Sequence, residues 1–84
     1  MAHLYSGREQ MHRWIQAEKA RYYQALLVKD LFDEWILIKA WGALGSKRGG
    51  MCSTYVPSYA AGLERIGEID KRRKRHGYRS LAPV

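Results

Sequence analysis

The stretch from Asp30 to Gly50, DLFDEWILIKAWGALGSKRGG, decides the fold. Within it Trp35, Leu37, Lys39 and Trp41 alternate with Ile36, Ile38 and Ala40. Two sets of side chains therefore stand on opposite faces, as a pleated strand requires, and the β-branched and aromatic residues suit a sheet. Gly42 ends the alternation. Lacking a Cβ, it lets the backbone bend or admits another backbone or a ligand beside the Trp41 ring, and Gly45, Gly49 and Gly50 permit positive φ in the turn that follows. Lys47 and Arg48 stand at the tip of that turn. A strand that runs into a Trp-Gly corner and a glycine-rich basic loop has the form of a nucleic-acid-binding hairpin.

Working outward, Trp14-Ile15-Gln16-Ala17 reads as a short strand, Glu18-Lys19 as a polar turn, and Arg21 to Val28 as a second extended run. Asp30 and Asp33 flank Leu31-Phe32, where aspartates that bond to their own backbone favour a turn, so the strand of Trp35 returns antiparallel. Met51 to Val56 makes a further strand, closed by Pro57, which cannot donate to a ladder. Ser58 is an N-cap for a helix of about 17 residues that ends with Gly77 at C′. Ala60, Leu63, Ile66 and Ile69 form its apolar stripe, with Leu63 and Ile66 sealing it to the sheet, while Glu64, Arg65, Glu68, Lys71, Arg72 and Arg75 fall on the other side.

The expected fold class is α+β, a small antiparallel sheet of four to five strands with one C-terminal helix packed on a face. Residues 1–11 are assigned to an N-terminal arm, 12–80 to the domain and 81–84 to a tail. Trp14 and Trp35 are expected in the core. Trp41 packs under the helix or serves a ligand, and Tyr22 and Tyr23 point to opposite faces. One helix cannot cover both apolar faces of residues 35–41. Ile36 and Ile38 are left for the N-terminal segment, the chain end or a second copy of the chain, and these alternatives stay open.

An 84-residue chain with 46% hydrophobic and 27% charged residues is one globular domain. The absence of a long apolar run or a signal-peptide core leads to the expectation of a cytoplasmic protein with no membrane contact. Cys52 is the single cysteine, and His3, His12 and His76 have no metal-ligand spacing, so neither a disulfide nor a metal is expected. Residues 1–70 carry nine Lys/Arg against eight Asp/Glu, whereas residues 71–84 carry six against none, so nearly all of the +7 net charge is a C-terminal patch. Cations at a helix C-terminus suit the helix dipole, at about 0.3–1 kcal/mol each. Six without one acid point instead to a polyanion.

No nucleophile stands beside a plausible base, and GALGSKRGG lacks the GK[ST]-to-helix form of a phosphate-binding loop. The chain is therefore expected to be non-enzymatic, with no cofactor and no small-molecule substrate. Aromatic rings are interleaved with cations: Trp41 precedes Lys47 and Arg48, and Tyr78 lies between Arg75 and Arg79. A ring stacked on a base is worth ~1–3 kcal/mol, with phosphate contacts adding the rest.

The ordered set Arg21-Tyr22-Tyr23, Asp30-Leu31-Phe32, Glu34-Trp35, Trp41-Gly42, Gly45 and Gly49-Gly50, followed by a helix ending in KRRKRHGY at 71–78, resembles the WGR domain. That family occurs in poly(ADP-ribose) polymerases and as short stand-alone bacterial proteins, and the resemblance spans residues 12–80. The tripeptide here is Trp41-Gly42-Ala43, so the family's arginine is missing. The resemblance implies binding to a DNA end, with Trp41 against a terminal sugar and nearby cations on phosphates. The expected nucleic-acid-binding residues are thus Trp41, Gly42, Lys47 and Arg48 on the hairpin, and Lys71, Arg72, Arg73, Arg75, Tyr78 and Arg79 at the chain's basic end. The expected function is binding of DNA backbone or duplex ends without base readout. RNA would use the same residues. The alternative is a protein–protein interaction module, homodimeric or joined to an acidic partner, that uses the apolar sheet face and the basic helix end.

Overall fold

The computed structural model describes residues 9–81; the expected arm up to Arg8 and the tail from Ala82 lie outside the described residues. Five strands and one helix follow in the order β1 (Gln10–Gln16), β2 (Arg21–Lys29), β3 (Trp35–Ala43), β4 (Gly49–Val56), α1 (Tyr59–Arg75) and β5 (Arg79–Ser80). All pairings are antiparallel, in the sheet order β4-β3-β2-β1-β5. The α+β class and the C-terminal helix are as the sequence predicts. β1 begins at Gln10, two residues inside the stretch assigned to the arm, and extends well before Trp14.

The turns are built by the side chains that the sequence singles out. Asp30 Oδ1 accepts from the backbone N–H of Phe32 at 2.9 Å and of Glu34 at 3.0 Å. Asp33, in the left-handed region at φ 66°, completes the reversal and pairs with Lys29. These backbone bonds hold the Asp30 carboxyl below the usual carboxylate range. Ser58 caps α1, its Oγ accepting from Ala61 N at 3.0 Å. At the other end Tyr78 N donates to Arg73 O and Gly77 N to Lys74 O, with Gly77 at φ 86°, which is the Schellman arrangement.

The glycine loop is shorter than expected. Of Gly45, Gly49 and Gly50, Gly45 alone has positive φ; the other two belong to β4. Steric closeness explains their lack of a side chain: a Cβ on Gly49 would strike the Trp41 carbonyl and one on Gly50 would strike the Trp41 ring.

α1 crosses one sheet face. The core there comprises Trp14, Ala25, Leu27, Trp35, Leu37, Val56 and Ile66. The buried stripe of the helix differs from the expected one: Gly62 and Ile66 are buried, Tyr59, Ala61 and Ile69 pack beside them, and Ala60 and Leu63 are exposed. Leu63, at 38% exposure, does not seal the helix. Gly62 explains the shift, because a Cβ there would come within 2.5 Å of Leu27 Cδ1. The helix axis descends at the residue with no side chain, and Leu27 fills the space.

Trp14, fully buried, donates its indole N–H to Asp70 Oδ1 at 2.9 Å, and Asp70 in turn pairs with Lys74 at 3.0 Å. The indole bond, more than the lysine, keeps the Asp70 carboxyl below its ordinary value.

Candidate nucleic-acid interface

Beyond Ile69 the inward stripe of α1 continues with Arg73. Its guanidinium carbon lies 4.5 Å from the centroid of the Tyr23 ring and 5.2 Å from that of Tyr78. Arg73 Nε is buried without a hydrogen-bond acceptor among the described residues. The ion pairs among those residues are Lys29–Asp33 and Lys74–Asp70, so neither involves Arg73. Ring faces attract a guanidinium by about 0.5–2 kcal/mol but satisfy none of its N–H donors; Nε is itself shut off from solvent, so an outside anion would meet the rest of the half-buried guanidinium.

The cation stands over an aromatic floor. Register puts Trp14, Tyr23, Trp41 and Gly50 in one row across the sheet. Trp14 meets Tyr23 edge-on at 6.1 Å, and Tyr23 stacks on Trp41 at 6.0 Å with 17° between planes. Gly50 leaves room for the outer indole to lie over β4. Burial pushes the Tyr23 hydroxyl pKa up, partly opposed by Arg73, so the phenol is neutral near pH 7 and does not cancel the nearby cations.

Two adjoining hollows cover this floor. One, of ≈ 320 Å³, is lined by Arg21, Tyr23, Lys39, Trp41, Arg73 and Tyr78. The other, of ≈ 400 Å³, shares Tyr23, Lys39 and Arg73 and adds Arg65, Arg72 and Arg75. The shared residues make them one shallow groove, with Glu68 the single acid on its lining among the described residues. An open trough lined by cations over stacked rings fits an extended polyanion with planar groups better than an enclosed small molecule.

The expected residues divide by position. Trp41, Arg72, Arg73, Arg75 and Tyr78 converge on the groove. Gly42 is buried and admits a second backbone, with the Arg48 carbonyl 2.7 Å and the Tyr22 ring 3.2 Å from where its Cβ would be. It pairs with Tyr22 and so lies on the face opposite the groove. Lys47 and Arg48 are exposed in the β3–β4 loop at the same end of the sheet, outside the groove lining. Lys71 is exposed between the inward positions Ile69 and Arg73. Arg79 pairs with Ile15 and lies on the opposite face, beside a separate hollow with Ala17 and Leu81.

Arg21, Tyr23, Lys39 and Arg65 line the groove without having been singled out for it. Lys39 had a signal in the sequence: it shares its alternation with Trp41 and therefore its face. Arg21 stands in the same relation to Tyr23, and only the strand register, Arg21 opposite Ala43, brings it beside Trp41. Comparison with protein-family models, with curated proteins and with solved structures finds no match for this chain.

Proposed function

We propose that this chain is a non-enzymatic nucleic-acid-binding module of the WGR type, which holds DNA backbone or a duplex end without reading base sequence. The observation that carries this reading is Arg73, laid over the Tyr23 and Tyr78 rings with no acceptor among the described residues, at the centre of a groove that also holds Lys39, Arg21 and Trp41. In this reading Arg21, Lys39, Arg72 and Arg73 neutralise phosphates, and the half-buried Trp41 ring takes a sugar or terminal base on its free side. The missing family arginine has a neighbour in charge. Arg21 faces Ala43 across β2 and β3, where side chains on one face stand ~4.5–5.5 Å apart at Cβ, so a cation reaches the same region from the adjacent strand. RNA offers the same phosphates and rings and is the alternative polymer.

Fluorescence anisotropy with a blunt 5′-phosphorylated duplex, a closed DNA hairpin, single-stranded DNA and RNA, each at two salt concentrations, tests the reading. The log–log salt slope should be about −3 to −5, for four to six neutralised phosphates. Trp41→Ala should weaken duplex-end binding by ~1–3 kcal/mol and hairpin binding by less. Its melting is measured alongside, because the ring also supports Tyr23. Binding that ignores salt would sink the polyanion reading. A normally folded Trp41→Ala protein that binds every probe like the wild type would remove the end-recognition role.

A further inference from the structure

The sheet face away from α1 carries no covering element among the described residues, and it is apolar. Leu26, Val28, Ile36, Ile38, Met51 and Tyr55 all stand on it by register, with Met51 72% and Tyr55 58% exposed. The β2–β3 turn at the end of these strands exposes Leu31 at 84% and Phe32 at 81%. An exposed apolar surface of this kind, broken only by Arg13, Gln24 and Ser53 in the same rows, marks an interface.

Charge at the two ends of the face identifies the occupant. At one end the turn 30–34 carries Asp30, Asp33 and Glu34, three acids against the one cation Lys29 that pairs with Asp33. Asp30 is drawn to the rim of the open face, where its Oδ2 accepts from the Tyr55 hydroxyl at 3.0 Å. At the other end the exposed loops hold Lys19, Lys47 and Arg48 against Glu18. Between them the face carries Arg13, over the Tyr22 ring at 5.0 Å, and Arg79 beside Ile15 towards the basic end. Such a surface complements itself under one two-fold operation. An axis in the plane of the sheet and perpendicular to the strands reverses strand direction and keeps sheet order, so the acidic Leu-Phe turn of each copy lies over the basic loops of the other. An axis along the strands would set acid on acid and is disfavoured. We infer that the open face is a homodimer interface, two sheets packed face to face in this antiparallel sense, with both α1 helices and both grooves outward.

Size sets the strength. Four strands about 4.8 Å apart and about eight residues long at ~3.3 Å give a face of about 500 Å² in projection. Two such faces, corrugated by side chains, reach the lower limit of stable interfaces, ~1,200 Å² in total, so the dimer is reversible with dilution. The inference is independent of nucleic-acid binding and is tested without nucleic acid.

The experiment is sedimentation equilibrium of the full chain from micromolar to submillimolar concentration. The wild type should pass from monomer to dimer. Ile38→Glu, which puts a carboxylate at the middle of the face, should raise the dissociation constant at least ~100-fold. A second variant avoids the sheet: Asp33→Asn with Glu34→Lys, where Asn tolerates the left-handed backbone, should raise it about tenfold. Adding Lys47→Glu and Arg48→Glu to that variant should restore it to within about threefold of wild type, because the charge pattern is then exchanged between the ends. Circular dichroism and melting verify that each variant folds. A wild type monomeric over the whole range overturns the inference, leaving the face to residues 1–8 or to a different protein. A dimer indifferent to both Ile38→Glu and the turn variant overturns it equally, and a dimer disrupted by the turn change but not restored by the exchange overturns the antiparallel arrangement.

Discussion

The two halves of α1 rest on the same sheet face and do opposite things. From Tyr59 to Ile66 the helix closes over Leu27, Leu37 and Trp35, and at Gly62 it comes so near the sheet that no side chain fits between. From Ile69 to Arg75 the inward position passes to Arg73, the floor changes from leucines to Tyr23 and Trp41, and the surface opens into a groove. Residue size and polarity make the difference. A glycine over a leucine expels water, whereas an arginine over a tyrosine holds helix and sheet apart and keeps a charge at the boundary. One element thereby serves as the lid of a core at its start and the wall of a site at its end.

If that division is real, substitutions in the first half should act on stability and those in the second on binding. Leu27→Ala should cost about 2–5 kcal/mol, through lost burial and a cavity beneath Gly62, while Leu63→Ala should cost under ~1 kcal/mol. Chemical denaturation of both measures the contrast, and similar losses would erase it.

Asp70 sits at the junction, and the second test addresses it. Asp70→Ala leaves the Trp14 indole N–H buried without an acceptor and should cost ~1–3 kcal/mol; Asp70→Asn keeps an acceptor and should cost less. Because the folded carboxyl titrates below its unfolded value, its stabilisation is full above the ordinary carboxylate range, near pH 4, and disappears as pH falls through the lower folded value. Melting against pH should therefore show a shallower acid limb in Asp70→Asn than in wild type.

The smallest effect on stability should come from the groove. Arg73→Gln and Lys39→Gln should each shift the denaturation midpoint little, yet each should flatten the salt slope of nucleic-acid binding by ~0.9, the value for one phosphate on duplex DNA. An unchanged slope with a large loss of stability would make Arg73 a part of the core and abolish the division.

Much of this fold is legible in the sequence. Period-two alternation places the faces of β3, Asp30 and Asp33 mark their turn by bonding to their own backbone, and Ser58 and Gly77 bracket α1. The helix phase was hidden because hydrophobic periodicity gives no weight to glycine, and Gly62 is where the helix comes closest. The site was half visible. Local composition finds the cations of residues 71–75 but cannot tell inward Arg73 from outward Lys71, since that depends on the same missed phase. Nor can it pair Arg21 with Ala43 across two strands, which requires the register. Arg79 illustrates the opposite error: adjacency to Tyr78 in sequence puts it near the groove, while strand alternation turns it to the other side.

The two-residue strand β5 returns the end of the chain to its beginning, Arg79 and Ser80 pairing with Ile15 and Trp14. Contacts so distant in sequence form late, since the hairpins β1–β2, β2–β3 and β3–β4 are all local, whereas β5 needs α1 already in place. The ladder is short, and Leu81 N donates to Arg13 O at 2.8 Å just beyond it. Tyr78, the residue just before it, is also tied to α1 by its N–H bond to Arg73 O, so the helix end and the β5 ladder together place one of the two rings beneath Arg73. The floor of the groove is thus built by the local hairpins, whereas its Tyr78 side is completed only where the segment after α1 returns to β1.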